Sequence, residues 1–209
     1  MPRSARSPWF AFLAGCALLL TLVPAAAATV EVTAVGSDGK PLPETVVFLD
    51  SLAAKAAARP LAGAEVAQVD RRFVPRVTVV TVGSSVAFPN RDTVRHHVYS
   101  LSPAKTFELK LYIGTPTHPV VFDKPGVAVL GCNIHDSMAA WVVVVETPHF
   151  ALAGADGSVR LDKVPPGNYR LRSWHAGLPP GTAASDEALV VPDGVARVQL
   201  RLPLKAGAL

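Results

Sequence analysis

The chain of 209 residues carries 20 Lys and Arg against 16 Asp and Glu, a formal net charge of +4, and half of it is hydrophobic. Its first 28 residues hold two of the basic residues and none of the acidic ones, so the remainder has 18 against 16; a net +2 is too small to favour nucleic acid, and no basic stripe interleaves with aromatics. Nineteen Pro and 15 Gly punctuate short Val-rich runs, which argues against a helical chain and for an all-β one.

At the N-terminus, Arg3 and Arg6 precede an apolar run over residues 9–23 and then Pro24 and four alanines, the pattern of a signal peptide cut after Ala28. The run is shorter than the roughly 20 residues that span a bilayer. Leu13-Ala14-Gly15-Cys16 resembles a lipoprotein cleavage box, but a cut there leaves Ala17-Leu18-Leu19-Leu20 attached, so ordinary cleavage is favoured. The expectation is an exported, periplasmic protein with no membrane span. Residues 29–35 and 46–49, joined through the turn Asp38-Gly39-Lys40-Pro41, read as two strands, which alone are marginal in water. Their partners are expected late in the chain. Residues 51–58 read as a loop with a helical turn.

The middle of the chain concentrates the chemistry. Cys132-Asn133-Ile134-His135-Asp136-Ser137-Met138 places a thiolate, an imidazole and a thioether in one loop after Val127-Ala128-Val129-Leu130. Thiolate with thioether selects copper over hard, oxygen-seeking ions, and a Cys with two His and a weak axial Met is the ligand list of a blue-copper site. A second imidazole is offered by His96 or His97, at the start of another β-branched segment. Adjacent strand residues face opposite sides, so only one of the two points inward. Beyond the signal segment Cys132 is the single Cys, without an internal disulfide partner. It is a buried thiol, an intermolecular partner or a metal ligand, and His135 and Met138 beside it favour the ligand. His118, His149 and His175 read as surface or junction residues, and Asp92, Glu108 and Asp136 as solvated charges. No H-x-H pair occurs, which argues against a trinuclear copper cluster or a copper-zinc site.

After residue 146, a turn at Ala155-Asp156-Gly157, a strand at 159–161, a turn at Val164-Pro165-Pro166-Gly167-Asn168 and strands at 169–174 and 195–202 follow.

The C-x-x-H-x-x-M loop with a strand-borne His upstream resembles the cupredoxins, most like amicyanin among the small plastocyanin-type blue-copper proteins, as in methylamine-utilisation-type proteins. The resemblance covers roughly residues 66–146. The D-G-x-P-L stretch at 38–42 and the D-G-x-x-x-L-x-x-V-P-P-G-x-Y-x-L run at 156–171 resemble a carboxypeptidase-regulatory, transthyretin-like domain. Together they imply an all-β chain: a Greek-key cupredoxin sandwich, 66–146, inserted into a discontinuous Ig/transthyretin-like sandwich made of 29–62 and 147–209. Two half-domains flanking the cupredoxin are the alternative.

By resemblance the metal ligands are His96, Cys132, His135 and Met138, holding one type 1 copper. His97 takes a place where the family commonly carries Asn; its backbone N–H and its ring are expected to support Cys132 and the loop around Asn133. Ile134 stands where amicyanin-type loops carry Pro, so its N–H is available to the thiolate, which implies a somewhat higher potential. The implied function is single-electron transfer in the periplasm, not an enzyme's, with a dehydrogenase or a c-type cytochrome as partner and amine oxidation as one setting. His135 is the expected exit, ringed by Ile134, Pro89 and Ala139. A copper transport or delivery protein is the rival, but such carriers expose several Met or Cys and only Met138 follows the signal segment. A third reading makes the outer sandwich an adhesion or sugar-binding module.

Overall fold

The computed structural model describes residues 27–207. The signal-segment expectation, Cys16 included, falls almost wholly outside them. Among the described residues no helix is long and apolar enough to cross a membrane.

The chain is all-β. It opens with β1 (Ala28–Val35) and β2 (Val46–Asp50), followed by the short helix α1 (Leu52–Ala57). The Ser51 side chain caps this helix by accepting from Ala54 N at 3.0 Å. The middle stretch supplies β3 (Ala64–Glu65), β4 (Ala67–Val69), β5 (Arg72–Val74), β6 (Val77–Thr81), β7 (Ser84–Ala87) and β8 (His96–Ser102). It continues through β9 (Lys105–Tyr112), β10 (Val120–Phe122), β11 (Gly126–Gly131) and β12 (Ala139–Val145). The chain closes with β13 (Phe150–Leu152), β14 (Ser158–Val164), β15 (Gly167–Trp174), β16 (Ser185–Val191) and β17 (Val195–Arg201).

Strands β1 and β2 pair only with the last third of the chain. β1 lies between β14 and β17, and β2 between β13 and β15, which also carries β16. These two sheets enclose one core, with Val30, Val32, Val47, Leu49, Leu161, Leu171 and Leu200 buried in it. The middle stretch makes a five-stranded sheet, β6-β12-β11-β8-β9, facing a small one, β10-β7-β3, with the β4-β5 hairpin beside them. Phe73, Phe88, Val98, Phe122, Leu130 and Val142 fill the core between them, together with Cys132 and Met138.

A third cluster joins the two sandwiches. Val46 and Phe48 of β2 and Trp174 of β15 pack on Val77 of β6 and Val143 and Val145 of β12. The alternation of side chains along a strand explains it: Val47 and Leu49 face the first core while their neighbours face the interface. Likewise Ala140, Val142 and Val144 face the second core, and Val143 and Val145 the interface. A strand buried on both faces reads as an unbroken apolar run, which is why Trp141-Val142-Val143-Val144-Val145 shows no polar alternation.

His175, expected at the surface, is buried. Its Nε2 donates to Pro43 O at 3.0 Å and its Nδ1 accepts from Gly177 N at 2.9 Å, so the ring is held neutral, tying the end of β15 to the residues before β2. Burial pushes its pKa below the ordinary 6.5, with the Pro43 carbonyl acting the other way. Half-buried His149, packed edge-on against Tyr169, is lowered by burial too. A depressed histidine contributes stability in full above its unfolded pKa and loses it as the pH falls below that value. Unfolding free energy from urea titrations will therefore decline as the pH is lowered beneath about 6.5. His175→Gln will flatten the decline; an unchanged slope would show that another group carries it.

Candidate metal centre

Each candidate ligand is fixed by the strand beside it. His96 opens β8, Cys132 follows the last residue of β11, and Met138 precedes the first residue of β12. β11 and β12 pair in register from Gly126↔Val144 to Gly131↔Ala139, so the loop between them is pinned at both ends. Met138 N donates to His135 O at 2.9 Å and closes a turn inside it.

The residue before Cys132 is a glycine in a tight spot. Gly131 pairs across the sheet with Tyr99 of β8, and a Cβ there would lie 2.8 Å from Tyr99 Cζ. The end of the Tyr99 side chain thus lies close against the backbone at the root of the loop.

Ligand atoms of His96, Cys132 and His135 lie within 4.8 Å of one another, and the two imidazoles are 5.0 Å apart, tilted by 60°. His96, Cys132 and Met138 are buried, at 0%, 4% and 2% exposure, while His135 is half-buried. Met138 shares the core cluster of Cys132. Buried imidazole nitrogens ordinarily find partners, yet Nδ1 of His96, His97 and His135 have none, and of these three rings only His96 and His135 share a group with Cys132. Two unpartnered nitrogens beside a free thiol, with a buried thioether in the same core, fit a soft metal ion.

The tautomer of His96 is set from behind. Its Nε2 lies 2.7 Å from Asp92 Oδ2, so Nε2–H donates to the carboxylate and Nδ1 keeps its lone pair. Asp92 Oδ1 accepts from Asp70 N at 2.7 Å and Oδ2 from Arg71 N at 2.9 Å. Asp70 and Arg71 form the tight turn between β4 and β5 with φ of 51° and 57°, a left-handed pair that side chains disfavour. Burial pushes the Asp92 carboxyl upward, but the bonds from Arg71, His96 and Asp70 outweigh it and hold it below the ordinary carboxylate value. Asp92 is therefore not the solvated charge the sequence implied.

A second clamp holds the segment leading to His96. Asn90 Nδ2 donates to Val94 O at 2.9 Å and to Tyr112 O at 2.7 Å. The Tyr112 hydroxyl donates to Phe88 O at 2.6 Å and accepts from Gln68 Nε2, and burial pushes its phenol up to about 12.

His97 lies on the other side of the strand from His96. Its ring does not reach toward Asn133; Nε2 lies 2.8 Å from Glu108 Oε1 on β9, and the ring packs on Tyr99 at 5.4 Å. Glu108, read as a free loop charge, is thereby a strand residue paired with a histidine. Asn133 and Asp136 are exposed, as is Ile134 at 46%, whereas Pro89 is buried and lends nothing to an exposed rim. His118 is exposed and His149 and His175 lie in the outer sandwich, all away from this group. Sequence reading missed Asp92, Asn90, Tyr112 and Tyr99. Only Asp92 left a signal, its spacing of four residues before His96.

No protein-family model matches the chain, and no curated protein does. Solved structures are similar to parts of it. A purple cupredoxin from Nitrosopumilus maritimus is 21% identical over 40% of this chain and 100% of that one, with a TM-score of 0.35. A Cu-containing nitrite reductase from Thermus scotoductus SA-01 is 23% identical over 54% of this chain and 28% of that one, with a TM-score of 0.37. An amicyanin mutant with Cu(I) is 20% identical over 47% of this chain and 98% of that one, with a TM-score of 0.36.

Removing the carboxylate behind His96 tests whether the site is built for a metal. For a metal held by this group, Asp92→Ala will weaken binding by about 10- to 100-fold, the usual effect of losing a group that orients a ligating histidine. Competition against a chelator of known affinity measures it, and unchanged affinity would mean that Asp92 serves the β4-β5 turn alone.

Proposed function

We propose that this protein is a periplasmic type 1 copper protein that passes single electrons between redox partners. The observation that carries the reading is the unpartnered Nδ1 atoms of His96 and His135, converging with Cys132 in a loop that the fold already holds at both ends. Copper, when bound, supplies reversible one-electron exchange. His96, Cys132, His135 and Met138 hold it, one ion per chain. Residues 66–146 form the copper module and sit as an insertion within a sandwich made of 29–62 and 147–209.

The chain's own residues do the rest. Burial of His96, Cys132 and Met138 keeps water from three of the four ligands, and Asp92 fixes the His96 tautomer. His135 alone reaches the surface, flanked by exposed Ile134 and Ala139. A small apolar rim suits the brief encounters of electron transfer, which bury less than about 1,200 Å². With isoleucine rather than proline at position 134 the loop keeps a backbone N–H near the thiolate, and a bond from it to the sulfur would raise the potential. A dehydrogenase as donor and a c-type cytochrome as acceptor, in amine oxidation, complete the proposal. Copper delivery is the lesser reading, since ligand exchange calls for accessible sulfur and both Cys132 and Met138 are buried.

Titrating the metal-free protein with copper will give one-to-one binding and an intense blue colour. Cys132→Ala and His96→Ala will abolish the colour, His97→Ala will keep it, and Met138→Gln will keep the metal with an altered colour, since the axial ligand is weak and replaceable. Absence of stoichiometric binding would end the proposal. Ile134→Lys will slow electron exchange with the partner in stopped flow while leaving the visible spectrum in place; an unchanged rate moves the docking face elsewhere.

A further inference from the structure

The interface between the sandwiches is not closed along its whole length. A cleft of about 790 Å³ opens there, within the roughly 300–1,000 Å³ of small-molecule sites. Its walls are aromatic. Trp141 of β12 and Trp174 of β15 lie 6.4 Å apart, tilted by 52°, with Phe48 beside them and the loop around Leu178 and Pro179 on the far side.

The polar end of the cleft holds an ion pair with unpaired atoms on both sides. Asp50, with its side chain only 12% exposed, meets Arg172 Nη1 at 3.4 Å, a long contact, and Arg172 lies over the Phe48 ring at 5.6 Å. Asp50 Oδ1 and Arg172 Nε are buried without any partner. Leaving a buried charged group's donor or acceptor unpaired is costly, and here one of each lies side by side. Arg172, at 33% exposure against 12% for Asp50, is the more accessible side chain of the pair.

We propose that this cleft binds an uncharged, planar aromatic amide. The ring packs against the tryptophans and Phe48, and on binding Arg172 turns to uncover the pair; the amide carbonyl then accepts from Arg172 Nε–H and the amide N–H donates to Asp50 Oδ1. The charges of Asp50 and Arg172 cancel, and Glu146, which also lines the cleft, is paired with Lys55 at 2.7 Å, so a ligand that is itself charged brings an unbalanced charge into the cleft. A carboxylate of the same shape also has no proton to give Asp50. This site is separate from the candidate copper ligands and holds whether or not a metal is bound.

Equilibrium dialysis of the full chain against 2-naphthamide and 2-naphthoate tests the proposal. The amide will bind saturably at one per chain, at least about tenfold more tightly than the carboxylate, the scale of one charge-assisted hydrogen bond. Asp50→Asn will reverse that preference, because Arg172 then faces the carboxylate unopposed. Trp141→Phe, a substitution that keeps an aromatic wall, will weaken amide binding several-fold, and Trp174→Ala more. Lack of saturable amide binding to the wild-type chain, or a preference that Asp50→Asn leaves untouched, would overturn the proposal. Circular dichroism of each variant separates loss of the cleft from loss of the fold.

Discussion

Burial of β12 on both faces is the constraint on which the rest of the structure depends. Its inward residues share a core with Cys132 and Met138, and its outward residues pack on Val46, Phe48 and Trp174 of the other sandwich. Each fully buried valine contributes about 1.5–3 kcal/mol, so neither face can be given up cheaply. The strand begins at Ala139, directly after the loop that carries three of the four candidate ligands. Position is therefore conferred on that loop by packing at a distance from it.

Holding two imidazoles and a thiol together, one imidazole and the thiol buried, works against folding. Each buried nitrogen without a partner costs on the order of 1–3 kcal/mol. The chain offsets this locally with Asp92, which orients His96 while its oxygens also hold the backbone of Asp70 and Arg71, and with the Asn90 and Tyr112 clamp. Such groups set which nitrogen faces the metal and how little the site moves. A soft metal ion held as proposed would take up the nitrogens that the protein leaves unpaired.

Much of this was legible in the sequence because it is periodic or local. The Val-rich runs announced strands, the C-x-x-H-x-x-M loop announced a soft-ligand set, and the D-G turns at 38–39 and 156–157 announced strand pairs whose partners lie far apart in the chain. The structure does pair β1 and β2 with strands beyond residue 150. What escaped depends on three-dimensional approach. Asp92 looked like a loop charge because nothing local shows that the β4-β5 turn and His96 meet at its carboxylate. His175 looked exposed because its partner, the Pro43 carbonyl, lies 132 residues away. Pro89 looked available to a rim because sequence does not reveal which side of a strand end is covered. β13 is only three residues long, and the seven residues of β16 are mostly exposed, so neither carries an alternation to be read.

The central claim is that the fold, and not the metal, assembles the ligand set. Crystal structures of the same protein metal-free and loaded with Cu(I) test it most directly. The account predicts that the backbone of residues 131–139 coincides within about 1 Å, the range of pre-organised sites, with the His96 and His135 rings in the same orientation and Asp92 still bonded to His96. A metal-free structure in which the loop rearranges, or in which His96 turns away from Asp92 to pair its Nδ1 elsewhere, would contradict it.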